Sequence, residues 1–318
     1  MTSRTSPGPR CRAATLPTAS SACLRPTPLF SPIRTIERAR PLLGTTVSVS
    51  VRCADEAQAH EAISAAFAAI ARVHALMSFH DAGSDLARLH AAAPGERIVI
   101  DAQTADVLRE ALRLSELTDG AFDVTVAAQL VERGLLPTPA GAAMADAAAS
   151  WRDIELDRDH GVRRRRALWI DLGGIAKGYA VDRAVQALRA HGMVHGCVNA
   201  GGDLRTLGEG PHRVAIATDE ASPSYQPVLE LGEAAVATSS GRPYVQAGSG
   251  PHVDGQRRGS MGLAQVATVV AADCMHADAL TKVVMALGTR SAELLRQFGA
   301  VAHLQDASGQ WTHIGGAS

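Results

Sequence analysis

The sequence predicts an α+β fold, because strand-period and helix-period segments occur in mixed order, without the steady strand–helix alternation of a doubly wound parallel sheet. Three observations carry this. In Thr45-Thr46-Val47-Ser48-Val49-Ser50-Val51 the valines recur at every second position, as in a half-buried strand. Farther on, Val181, Ala184, Val185 and Leu188 fall at helical spacing, with Gly192 as a stop. Ahead of that helix, Leu168 to Leu172 is a short apolar run suited to a buried strand.

Taken in order, residues 1 to about 36 are rich in Ser, Thr, Pro, Ala and Arg. Residues 1–38 therefore read as a disordered or mis-started extension and 39–318 as the folded domain, with order starting near Ala39. The extension has the basic character of an export signal without its apolar middle, since prolines and polar residues separate Leu16, Leu24 and Leu29. Its compartment stays open. Asp55 and Gln58 have the spacing of a capping box, and Ile63, Phe67, Ile70, Val73 and Met77 then mark one face of a long helix. A loop follows over 78–84, a strand over 97–101, and a second helix over 104–118, with Val107, Ala111 and Leu114 inward and Asp119-Gly120 as its end. Residues 137–150 form an alanine- and proline-rich linker. The run Arg163 to Arg166 reads as a solvated hairpin between strands 154–156 and 168–170, or else as a phosphate-gripping patch. Strands are expected at 214–217, 227–231, 235–238 and 266–271, with a polar, glycine-rich loop over 248–262. A helix over 277–287, another over 291–298 and two short strands complete the chain.

Composition narrows the function. With 318 residues the chain can bury a sizeable core, and with aromatics at 3% that core must rest on Leu, Val, Ile and Ala. A formal net charge of −1 provides no basic field for nucleic acid. Five cysteines lack metal-site spacing, and no apolar run is long enough to span a membrane.

The chemistry concentrates in Ile170-Asp171-Leu172-Gly173-Gly174-Ile175-Ala176-Lys177-Gly178-Tyr179-Ala180-Val181-Asp182, followed by Asn199-Ala200-Gly201-Gly202-Asp203. This reads as strand, glycine turn with a lysine, helix, strand and second glycine turn, an arrangement that brings backbone close to phosphate. By spacing alone, a plain structural turn serves equally well. The order of residues resembles the signature of the ApbE family, the FAD:protein FMN transferases. Further blocks resemble the same family in the same order: Leu43-Gly44-Thr45, Met77-Ser78-Phe79-His80, Ala121-Phe122-Asp123-Val124-Thr125-Val126, Ala237-Thr238-Ser239-Ser240-Gly241, and Ala272-Asp273-Cys274-Met275-His276-Ala277-Asp278-Ala279-Leu280-Thr281.

The resemblance implies a two-part α+β fold with FAD in a cleft between the parts and Mg²⁺ at the pyrophosphate. Carried over block by block, it implies flavin contacts from Leu43, His80, Ala121, Phe122, Asp123, Asp171, Lys177 and His252. It implies metal ligation by Gly174 through its carbonyl, Asp278 and Thr281, and catalysis by His252 with Asp254. The implied reaction joins the FMN half of FAD to a Thr or Ser hydroxyl of an acceptor flavoprotein and releases AMP. Many such relatives are exported and lipid-anchored, and Ser20-Ser21-Ala22-Cys23 has part of the form of a lipoprotein cleavage site.

The sequence also departs from the family. Aligning Asp254 with the family aspartate of His-x-x-Asp-Pro puts Pro251 where the histidine stands, so His252 serves only if the loop is one residue tighter. The family threonine stands four residues after its aspartate, whereas here Thr281 stands three after Asp278 and Lys282 four. Two other readings follow: an FAD-binding protein without transfer, and a metal-dependent FAD pyrophosphohydrolase built on His252-Val253-Asp254 and His276-Ala277-Asp278.

Overall fold

The computed structural model describes residues 33–216 and 228–316, so the leader reading for the first 32 residues lies outside the described residues, as do Ala217 and Pro227. In chain order the elements are β1 (Arg34–Leu42), β2 (Thr45–Cys53), α1 (Glu56–Met77), α2 (Asp85–Ala91), β3 (Ile98–Val99), α3 (Ala102–Leu117), α4 (Ala127–Glu132), β4 (Ile154–Leu156), β5 (Gly161–Arg164) and α5 (Ala176–Ala190). The second half adds β6 (Gly196–Ala200), β7 (Asp203–Leu207), β8 (His212–Ala215), β9 (Val228–Leu231), β10 (Ala235–Ser240), β11 (Val266–Ala271), α6 (Cys274–Leu287), α7 (Ala292–Gln297), β12 (Val301–Gln305) and β13 (Trp311–Gly315).

The expected α+β class is what the chain adopts. Eight strands form one sheet in the order β1-β2-β6-β7-β10-β11-β12-β13, with antiparallel neighbours throughout. Alternation in β2 buries Val47, Val49 and Val51 completely, and register sets Val49 against Val198 of β6. On the covered face lie α1, α5 and α6, with α1 against α5, α5 against α6, and α6 over β10 and β11. A smaller sheet has the order β3-β5-β4, and β8-β9 is a separate hairpin. One hydrophobic core runs from Val47, Phe67 and Leu280 through Leu86, Val107 and Ile170.

The strand β1 starts at Arg34, ahead of the expected Ala39, and pairs along its whole length with β2. The turn between them is the two-residue Leu43-Gly44, at φ 55° and 71°, the left-handed pair that a tight hairpin needs. Asp55 caps α1 by accepting from Gln58 N at 3.1 Å, but the Gln58 side chain reaches His191 O at 3.0 Å. The hairpin partner of β4 is β5 and not 168–170. Arg164 is buried because its guanidinium donates to Leu168 O at 2.6 Å and to Ala92 O, which overturns the solvated reading at that position. Arg165 and Arg166 pair with Glu155 and Asp146.

Leu168 to Leu172 is buried as expected but forms no ladder strand. Ile170 N donates to His90 Nε2 at 2.9 Å and Asp171 N to Val124 O at 2.8 Å, so a side chain and a loop carbonyl satisfy the backbone. Gly178 has a different task from cradling phosphate. A Cβ there would lie 2.0 Å from Cys274 O and 2.9 Å from Asp278 Cβ, so its absence lets α5 approach α6.

Candidate active site

One cavity of about 910 Å³ gathers most of the expected residues. Its walls include Leu43 and Gly44 from the β1–β2 turn, Ser78 to His80 after α1, Ala121 to Asp123 after α3, Asp171, Gly173, Gly174 and Lys177 at the entry to α5, Thr238 to Ser240 ending β10, Pro251 to Val253 and Lys282. Of the flavin contacts expected from the resemblance, Leu43, His80, Ala121, Phe122, Asp123, Asp171, Lys177 and His252 all line it. Leu43 does so from a left-handed conformation uncommon for its type. His80 is exposed at the rim.

Burial raises the Asp171 carboxyl above its usual range. Lys177 enters from the first turn of α5 and its Nζ lies 2.8 Å from Asp203 Oδ2. Burial opposes the ammonium, and the carboxylates of Asp203 and Asp278 outweigh it and hold its pKa above the ordinary lysine value. On Asp203, burial with the Asp278 carboxylate lifts the pKa to about 6 against the pull of Lys177. Asp203 is thus the partner of Lys177 across the two glycine turns.

His252 stands one residue after the position at which the family histidine aligns. It faces the cavity with Nε2 3.3 Å from Ser240 O, beside Pro251. Burial, and after it the Lys282 charge, lower its pKa to about 4, so the imidazole is neutral at pH 7. Asp254 takes a different place from the one expected. It lies outside the cavity lining, and its Oδ1 accepts from Gln256 N at 2.9 Å and Arg257 N at 3.1 Å, so it caps a turn.

That turn presents Arg258, which sequence reasoning missed because neighbouring arginines carry no mark of burial. Arg258 Nη2 lies 2.9 Å from Asp123 Oδ2 and 3.1 Å from Ala149 O. The other Asp123 oxygen accepts from Thr125 N at 2.8 Å and Thr125 Oγ1 at 2.7 Å. Asp123 lines the cavity, but its carboxylate is engaged in joining the His252 loop to the wall that carries Phe122. Gly255 N to Ala121 O at 3.1 Å completes the joint. Replacing Arg258 by alanine leaves a buried Asp123 oxygen unpaired and is expected to cost about 2–3 kcal/mol. A urea midpoint equal to that of the wild type would contradict this.

The metal positions need a physical test. Gly174 is at the cavity wall, but Asp278 and Thr281 are completely buried behind it. Asp278 Oδ2 accepts from Gly178 N at 3.0 Å, and Oδ1 is held by Lys282 Nζ, which also reaches Asp278 O at 3.1 Å. Thr281 Oγ1 lies 2.7 Å from both Asp278 O and Ser239 Oγ. The expected Thr281 ligand is therefore turned toward β10 and the expected Asp278 ligand is paired with an ammonium. The Asp278 oxygens are already taken by Lys282 Nζ and Gly178 N, and an ammonium in that place repels a divalent ion. This donor set does not fit a divalent metal.

The hydrolase pairs do not converge either. His276 points away, with Nδ1 2.7 Å from Asp273 and Nε2 3.1 Å from Glu110. Burial works against its charge, but those carboxylates lift it to about 9. Among the described residues no three His, Cys, Asp or Glu side chains cluster as a metal site. Cys274 is fully buried, and burial raises its thiol pKa well above the usual value, which leaves it inert.

Comparison with known proteins gives a consistent picture. A sequence profile of the ApbE family matches residues 43–304. An FAD:protein FMN transferase of Vibrio cholerae is 31% identical over 176 residues, covering 51% of this chain and 53% of that protein. One of Treponema pallidum is 29% identical over 190 residues, covering 55% and 52%. The chain spans about half the length of these curated relatives. The solved flavin transferase ApbE of Vibrio cholerae superposes with a TM-score of 0.75 at 24% identity, covering 89% of this chain and 97% of that one. The apo flavinyl transferase ApbE of Pseudomonas stutzeri gives 0.73 at 23%, covering 90% and 98%.

Proposed function

The chain belongs to the ApbE family, and from that premise we propose that it transfers FMN from FAD to a Thr or Ser hydroxyl of an acceptor flavoprotein, with release of AMP. The observation that carries the proposal is the convergence of Asp171, Lys177 and His252 on one cavity large enough for a dinucleotide. Met77, Phe122 and Leu130 give the cavity an apolar lining that suits the isoalloxazine, and Lys177 and Lys282 in the same lining suit the pyrophosphate.

In the proposed reaction the acceptor oxygen attacks the phosphorus of the FMN half, forming a new P–O bond. The bond from that phosphorus to the bridging oxygen breaks, and AMP leaves with the electron pair. His252 accepts the hydroxyl proton, which passes to solvent as AMP departs. A neutral imidazole with a pKa of about 4 is a weak base, but bound pyrophosphate brings negative charge against Lys282 and raises it toward neutrality. Lys177 holds a phosphate oxygen and offsets charge on the leaving group. The family's Mg²⁺ would rest on Gly174 and Asp278, and since the donor set does not suit it, no step is assigned to it.

Incubation of the purified protein with FAD in the absence of acceptor, followed by chromatography of the nucleotides, tests this reading. Bound FAD recovered intact is expected. Release of AMP and FMN under those conditions would instead support the pyrophosphohydrolase.

A further inference from the structure

Lys282 is placed where a metal ligand would be expected. It stands four residues after Asp278 on α6, so both side chains share a face, and its Nζ grips the Asp278 carboxylate. Its stem passes 3.6 Å from where a Cβ on Gly174 would lie, so the side chain spans the space between the two expected metal donors. The Lys282 side chain is 16% exposed and belongs to the cavity wall, while the carboxylate it grips is fully buried. An acid sealed behind its own cation presents one positive, hydrogen-bonding surface to whatever enters. Thr281, the nearest hydroxyl in sequence, is tied to Ser239 and does not reach the cavity.

From this placement we propose that the Lys282 ammonium, seated on Asp278, serves as the built-in cation for the pyrophosphate of FAD, so that dinucleotide binding in this chain needs no divalent metal. The inference rests on the FAD-binding reading of the cavity. An ammonium carries one charge and three donors, enough to hold a pyrophosphate oxygen while keeping its bond to Asp278. It occupies the volume a hydrated ion would need and repels that ion.

The test is FAD binding by the full chain, read as quenching of flavin fluorescence, with EDTA and then with Mg²⁺. The wild type is expected to bind with the same Kd in both. Lys282→Thr restores the threonine four residues after the aspartate, and is expected to bind at least about tenfold more weakly in EDTA and to recover when Mg²⁺ is added. A second readout needs neither FAD nor turnover. In a Mn²⁺ titration followed by electron paramagnetic resonance, the wild type should leave the ion free and Lys282→Thr should take it up. If the threonine variant does not fold, Lys282→Met keeps the packed stem without the charge, and weakened FAD binding in EDTA is again expected.

Wild-type affinity that falls about tenfold in EDTA and returns with Mg²⁺ overturns the inference while leaving the FAD site intact, as does Mn²⁺ uptake by the wild type. Unchanged FAD binding in EDTA by a folded Lys282 variant also overturns it. Absence of FAD binding in every condition overturns the functional reading and the inference together.

Discussion

Replacing Asp278 by alanine is expected to lower folding stability by about 3–5 kcal/mol, the cost of breaking a buried ion pair from one side. The carboxylate is fully buried, so its loss strands the Lys282 ammonium and also leaves Gly178 N without its acceptor. The second loss lies at the contact where α5 and α6 approach most closely, with Cys274 O packed against Gly178. A urea titration measures the effect. In the double variant Asp278→Ala with Lys282→Met the stranded charge is gone, and a coupling of about 1–3 kcal/mol is expected. Additive effects of the two substitutions would show that the pair contributes nothing as a pair.

Replacing His252 by alanine is expected to reduce the transfer rate by about 10²–10⁴-fold, the usual worth of a positioned general base, and to leave FAD affinity nearly unchanged. The imidazole contacts the chain through Ser240 O and supports no buried network, so the loss should fall on kcat and spare the fold. The pH profile provides an independent check. Protonation removes the acceptor site, so kcat/KM should stay flat through neutrality and fall only as pH approaches about 4, the value in the free enzyme. The acid limb of kcat should lie higher, because bound pyrophosphate favours the imidazolium. A His252→Ala variant with wild-type kcat would remove the histidine from the reaction.

Sequence pattern revealed the fold wherever burial wrote a period into it. The strand β11 and the inward faces of α1, α3, α5 and α6 were legible because their valines, leucines and isoleucines face one core. The edge strand β1 was not, since only Ile36 along Arg34–Leu42 is buried and an exposed edge carries no alternation. The short helix α2 hides for a related reason. Its buried face includes Asp85 and His90, polar residues whose partners are Thr104 and Ile170, distant in sequence.

The site divides in the same way. The glycine-lysine block and the Ala121-Phe122-Asp123 block were identified by residue order and do line the cavity. A turn-capping aspartate and a catalytic one look alike in one dimension, and the bonds Asp254 accepts from Gln256 N and Arg257 N appear only in three. Thr281 and Lys282 are hard to tell apart in sequence because both the third and fourth positions after Asp278 share its face of α6. The hydrogen bond to Ser239 shows which way the hydroxyl turns, and that depends on β10.

The most direct test of the account is the intact mass of a threonine-bearing acceptor flavoprotein incubated with the purified chain and FAD, with AMP quantified in the same sample. An acceptor heavier by one FMN is expected, with one AMP released for each acceptor labelled, and both signals should be lost when His252 is replaced by alanine. An acceptor of unchanged mass, while FAD is bound or cleaved in the same mixture, would contradict it.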